Sequence, residues 1–147
     1  MDAKDVRPSD LFTALAELCE QFRATGDMEC RAMISAAHMR FPAELAAVLY
    51  QAMRELLANV RQHARATRVQ VTSSAGLDGT IRLGVTDNGV GFTRHWREAS
   101  PFAASSGIGL WSIDQRLRGF GAYLDVESST NGTRATLVIP APALIPQ

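Results

Sequence analysis

The sequence predicts an α+β fold, a two-layer α/β sandwich in which a mixed, mostly antiparallel sheet carries helices on one face. Three observations lead there. The strand-like segments alternate apolar and polar residues rather than running continuously apolar, so each turns one face to a core and one to water. The helix-like segments are amphipathic, with one apolar stripe each. A chain of 147 residues, 46% hydrophobic, suits a single domain with one core, burying roughly two-thirds of its unfolded surface.

Pro8-Ser9-Asp10 opens a first helix with the stripe Leu11, Leu15, Leu18 and Phe22, and Gly26 is its expected stop. Residues 28–34 alternate, with Met28, Cys30, Ala32 and Ile34 on one side, as in a half-buried strand. Pro42 fits the first turn of a long second helix running to about Ala66, whose inner face carries Leu45, Leu49, Ala52, Leu56 and Val60. Strands follow over 68–74 (Val69, Val71) and 80–86 (Ile81, Leu83, Val85), separated by a turn region at Gly76 and Asp78-Gly79. A third helix runs from Ile108 to Gly119. Two closing strands, 122–127 (Leu124, Val126) and 134–139 (Leu137, Ile139), join through Asn131-Gly132, and a short tail begins at Pro140. Residues 92–106 form the one long irregular stretch, a candidate lid in which Trp96 and Phe102 are anchors over a ligand or contacts for a partner domain.

Composition removes several classes. Fifteen basic and fifteen acidic side chains give a net charge of +0, so nothing points to a nucleic-acid or anionic-membrane partner, although Arg54, Arg61, Arg65 and Arg68 cluster locally. Cys19 and Cys30 fall on apolar positions and are expected as buried, reduced thiols. With no signal peptide and no apolar run of membrane-spanning length, the chain reads as cytoplasmic, without membrane contact. The single lysine is Lys4, which excludes a Walker A lysine and the strand lysine of Ser/Thr/Tyr protein kinases.

Three motifs, in order, carry the chemistry: Glu55-x-x-x-Asn59, Asp87-Asn-Gly-Val-Gly91-Phe92, and Gly107-Ile-Gly109-Leu110. Glu55, Asn59 and His63 recur every four residues and line up as a polar stripe on the second helix. The alternative for that stripe is a solvated helix face, and for His63 a structural role at the helix end. An Asn carbonyl suits Mg²⁺, which keeps waters and takes one or two protein oxygens plus phosphates. Glu55, one turn away, can orient a metal-bound water or polarise a phosphoryl acceptor. Asp87 offers an acceptor-only carboxylate to the exocyclic amine of adenine. Gly89 and Gly91 let the backbone approach a flat ring, where a plain strand-end turn is the alternative. Gly107 and Gly109 precede a helix, whose first amides and dipole form an anion site, unless they serve only as a hinge.

These residues resemble the GHKL nucleotide-binding superfamily, whose N, G1 and G2 boxes are the Asn helix, the DxGxG loop and the GxG lid exit. Within it, RELLANVRQHARATRV, DNGVGF, GIGLWSIDQRL and GTRATLVIP look most similar to the ATP-binding catalytic domain of NarX/DesK-type sensor histidine kinases, over residues 10 to 140. The resemblance implies the Bergerat fold, Mg-ATP binding, and phosphoryl transfer to a histidine and then to a response-regulator receiver domain. By position it makes Asn59 the Mg²⁺ ligand, Glu55 the catalytic acid/base and Asp87 the adenine reader. Gly89 and Gly91 become the adenine-loop glycines, Gly107, Ile108, Gly109 and Leu110 the phosphate side, and Thr133 the support of Asp87.

The chain departs from the family in three places. Gln62 stands where a basic residue often precedes the histidine of the Asn helix, so phosphate neutralisation falls to Arg61 or Arg65. Ala122 replaces the second glycine after the third helix. The dimerising hairpin with its acceptor histidine is not seen, and His38 and His95 lie in the wrong context to replace it. An isolated chain is therefore expected to be monomeric and to need a histidine-bearing dimerisation domain as partner. The competing expectations are a stand-alone GHKL serine kinase of the anti-sigma type and an ATP-gated interaction module without transfer.

Overall fold

The computed structural model describes residues 8–26, 28–35, 39–90, 107–143 and 145–146. Its elements are α1 (Pro8–Ala24), β1 (Glu29–Met33), β2 (Met39–Arg40), α2 (Ala43–Asn59), β3 (Arg68–Ala75), β4 (Ile81–Asp87), α3 (Gly107–Arg118), β5 (Tyr123–Ser129), β6 (Gly132–Ile139) and β7 (Ile145–Pro146). Five strands form one sheet in the order β1-β3-β4-β6-β5. β1 pairs parallel with β3, and the other three pairings are antiparallel. This is the mixed, mostly antiparallel sheet expected from the alternating strands.

Alternation decides which face is covered. In β4, Ile81, Leu83, Val85 and Asp87 are buried while Arg82 is exposed, and β6 repeats this with Thr133, Ala135, Leu137 and Ile139 against Arg134. The register stacks these residues into rows. Leu83, Leu137 and Leu124 lie side by side across β4, β6 and β5, each fully buried. Each such leucine contributes about 1.5–3 kcal/mol of burial. The next row is Val85, Ala135 and Val126; the last is Asp87, Thr133 and Ser128, where the helix-covered face turns polar.

The helices cover that face with the stripes read from the sequence. Leu11, Leu15, Leu18 and Phe22 of α1, Leu45, Leu49, Ala52 and Leu56 of α2, and Leu110, Ile113 and Leu117 of α3 are all buried in one cluster. α2 packs against α1, α3 and β4. Cys19 and Cys30 face each other between α1 and β1, each 1% exposed and reduced. Burial pushes the Cys30 thiol up, and Cys19 beside it adds to the shift.

Several boundaries move for physical reasons. Pro42 precedes α2 as its N-cap, with ψ 140°, because its fixed φ suits the entry to a helix as well as the first turn. The α-helix does not reach Ala66. It passes at Val60–Ala64 into a π-helical turn, closed by Arg65 in the left-handed conformation (φ 51°, ψ 38°). In β1 only Cys30 is buried and Ala32 is exposed, while Met28 and Ile34, just outside the strand, are partly buried against the core. The segment after Pro140 is more than a tail: β7 pairs with β2 as a separate two-stranded sheet, which two residues per strand do not announce in sequence.

The β5–β6 hairpin turns at Thr130 and Asn131, with Ser129 paired to Gly132. Gly132 is thus the first residue of β6 and not the second residue of the turn. It holds φ 135°, and a side chain there would collide with the backbone oxygen of Asp87. The glycine permits β6 to close against β4 where the polar row begins.

Candidate nucleotide site

The polar row is built by strand register. Asp87 is the last residue of β4, 7% exposed, and lies directly opposite Thr133, 9% exposed. Its Oδ1 accepts the Gly89 N–H at 2.8 Å, a local turn that fixes the carboxylate. Desolvation raises the Asp87 pKa from its ordinary value, opposed by the amides of Gly89 and Thr133. A further donor aimed at this carboxylate would favour its charged form. Beside it, the Thr133 and Ser128 hydroxyls share a hydrogen bond of 3.0 Å. An open depression of about 280 Å³ wraps the strand ends, lined by Asp87, Ser128 and Thr133 and also by Thr86, Glu127 and Arg134 of the alternate row.

Asn88, between Asp87 and Gly89, serves the fold. Its Oδ1 accepts the Thr67 and Arg68 amides, both at 2.9 Å, and its Nδ2 donates to the Thr67 hydroxyl. The loop leaving β4 is therefore clasped to the start of β3, which aims Asp87 and Gly89. A strand-end turn and a ligand loop are compatible here.

The second polar group lies in the seam between α2 and α3. Asn59 ends α2, half-buried, and a Cβ on Gly109 would lie 3.7 Å from its Nδ2. The glycine-rich start of α3 is thus brought onto the Asn59 amide. One turn earlier on α2, Glu55 Oε2 accepts a hydrogen bond from Arg116 of α3 at 2.8 Å. Because α2 packs on both α3 and β4, one helix joins the seam to the polar row.

The other expected residues divide. Gly107 and Ile108 belong to the first turn of α3, but their side-chain environment, like that of His63, lies outside the described residues. So do Gly91, His38, His95 and the whole stretch 92–106 with Trp96 and Phe102. Leu110 is 2% exposed and anchors α3 in the core; only its backbone is available to a ligand. Arg61 departs from expectation. Its guanidinium stacks 4.1 Å above the Phe22 ring and donates to the Phe22 carbonyl, capping α1. Two positions beyond Asn59, it emerges on the far side of the helix, which leaves Arg65, exposed, as the basic candidate. Arg116 was missed. Its spacing of seven from Gly109 puts both on one face of α3 and was the available signal.

The residues fit a nucleotide carrying its own metal. Asn59 supplies one amide oxygen, a donor set suited to Mg²⁺ that keeps waters and phosphate oxygens. Among the described residues no group of three His, Cys, Asp or Glu could hold a metal. No helix there is long and apolar enough to cross a membrane.

Comparison with known proteins agrees with this fold. The family model for histidine kinase-, DNA gyrase B- and HSP90-like ATPases matches residues 45–143. The sensor histidine kinase MctS of Rhizobium johnstonii is 31% identical over 144 residues, 95% of this chain and 30% of that protein. The oxygen sensor histidine kinase NreB of Staphylococcus carnosus is 26% identical over 92% of this chain and 39% of its own. The chain thus spans about a third of the length of these relatives. The histidine kinase domain of the Erythrobacter litoralis EL346 blue-light-activated kinase superposes with a TM-score of 0.72 at 25% identity, covering 97% of this chain and 65% of that one. The catalytic domain of histidine kinase ThkA gives 0.73 over the full length of both, with 20% identity and so a likeness of fold. The Asn59 helix, the Asp87 strand end and the Gly107–Gly109 helix start all lie inside the matched span, and the chain belongs to the histidine kinase-, DNA gyrase B- and HSP90-like family of ATPases.

Proposed function

We propose that this chain binds Mg-ATP and delivers its γ-phosphoryl group to a histidine, as the catalytic domain of a sensor histidine kinase in a two-component system. The observation that carries the reading is the meeting of Asn59 with Gly109, with Glu55 one turn away on the same side of α2. A metal-ligating amide, a phosphate-binding helix start and a carboxylate thereby share one seam. In this reading Asp87, Gly89 and Gly91 read adenine with support from Thr133, Asn59 holds Mg²⁺ on the phosphates, and the amides at Gly107–Gly109 neutralise phosphate charge, with Arg65 the basic candidate. Residues 92–106 are assigned to the lid. A Mg²⁺ held by Asn59 would supply positive charge to offset that developing on the phosphates during transfer. Glu55 orients the attacking imidazole.

The acceptor is a histidine on a separate hairpin domain, of the same parent protein or in trans, and the phosphoryl group passes on to a receiver domain. Incubating the chain with Mg-ATP and a histidine-hairpin domain should give acid-labile phosphate on the hairpin and none on the chain. Asn59→Ala should remove this transfer together with the stabilisation that Mg-ATP confers, about 2.7 kcal/mol at a hundred times Kd, while leaving the apo melting point in place. Acid-stable phosphoserine on an anti-anti-sigma protein would replace this reading with the serine-kinase one.

A further inference from the structure

Four Arg–carboxylate pairs occur among the described residues. Arg23–Glu20, Arg31–Glu29 and Arg118–Asp114 each join positions two to four apart in one element. Arg116–Glu55 alone spans two helices, across 61 positions of sequence. Its two side chains are 37% and 42% exposed, and ion pairs so open to water add little to stability. The fold does not need it, since α2 and α3 are already joined by Met53, Leu56, Ile113 and Leu117 in the common core.

The arginine is nevertheless fixed. Its Nε reaches back to the Ser112 carbonyl at 3.4 Å while a terminal nitrogen holds Glu55 at 2.8 Å. Along the seam, Asn59 approaches Gly109 and Glu55 pairs with Arg116, so the helices run antiparallel with a close approach and an ion pair one to two turns apart. The helix whose first amides face the phosphates therefore also grips the carboxylate that faces the acceptor.

We infer that Arg116 is a positioning residue: it holds Glu55 in line for phosphoryl transfer and makes that geometry depend on the seating of α3. The inference rests on the transfer role proposed for Glu55. A carboxylate gripped through one oxygen keeps the other for the incoming imidazole. Without the guanidinium, Glu55 is a solvated side chain with several rotamers, and orientation lost at that point costs rate, not nucleotide affinity.

The test is single-turnover transfer from Mg-ATP to a sensor-kinase histidine-hairpin domain, with ATP affinity and melting point measured alongside. Arg116→Met should slow transfer roughly ten- to a hundredfold with ATP affinity and melting point unchanged. Arg116→Lys should restore most of the rate, and Arg116→Met added to Glu55→Gln should slow transfer no further than Glu55→Gln alone. Full-rate transfer by Arg116→Met, with Glu55→Gln still impaired, would overturn the inference and leave the proposed function standing. Loss of rate matched by loss of ATP affinity or of melting point would assign Arg116 to packing instead. Wild-type rates in Glu55→Gln would remove the role of Glu55 itself.

Discussion

The polar row on the sheet and the polar seam between the helices hold their side chains by different means. In the row, Asp87 and Thr133 are buried, paired across strands, and held by backbone amides and an adjoining hydroxyl. In the seam, Glu55, Asn59 and Arg116 are half-exposed and meet only through side chains and one glycine. Register fixes the first set to the accuracy of a β-ladder. The second depends on how α3 seats against α2. In the proposed function, base recognition falls to the strand-registered row and phosphate chemistry to the seam between the helices.

The strongest challenge to the rigid half is Gly132→Ala. The new methyl would meet the Asp87 carbonyl at a backbone φ of 135°, and clash and strain together should cost at least about 3 kcal/mol of unfolding free energy. Chemical denaturation measures it. A variant as stable as wild type would mean that the hairpin moves freely against β4 and that the row is not rigid.

Asp87→Asn separates recognition from stability. Losing a charge-assisted hydrogen bond of roughly 1.5–3 kcal/mol should weaken ATP binding about tenfold to a hundredfold by calorimetry. The folded-state pKa of Asp87 is raised by desolvation, so its ionisation opposes folding. That penalty is absent below the unfolded value, near 3.8, and grows as pH rises through the folded one. The apo Asn variant should therefore melt higher than wild type at pH 7, and the difference should vanish at acid pH. Unchanged ATP affinity would detach Asp87 from the base.

The smallest expected effect tests the far side of α2. Arg61→Met removes a cation–π contact and a cap on α1, and should lower stability by about 1 kcal/mol with no change in ATP affinity. A clear drop in affinity would return Arg61 to the phosphates.

Most of this layout was legible in the sequence because periodicity reports burial directly: the α1 and α2 stripes and the alternation of β4 and β6 are the core itself. The places of Asp87 at a strand end and Asn59 on the second helix were legible because their motifs sit at fixed spacing from those apolar patterns. Four features were not. The π-helical turn at Val60–Ala64 has no compositional mark, so the second helix was drawn too long. Arg61 looked like one of a basic cluster, and only the proximity of Phe22, 39 positions away, gives it a structural role. Arg116 pairs with Glu55 through tertiary packing; its spacing of seven from Gly109 marks the shared face of α3 but not the partner. Gly132 was read as a turn residue, whereas its need for glycine comes from a neighbouring strand.

The paired thiols of Cys19 and Cys30 carry a practical consequence. Both are buried where α1 meets β1, and burial suppresses formation of the Cys30 thiolate, the species that alkylating reagents attack. Labelling must await the lifting of α1 from the sheet, so the rate of cysteine modification is a native clock for the opening of that corner. Because Arg61 bridges the end of α2 to the end of α1, the same clock reads how firmly the Asn59 helix is seated, with no probe added to the protein.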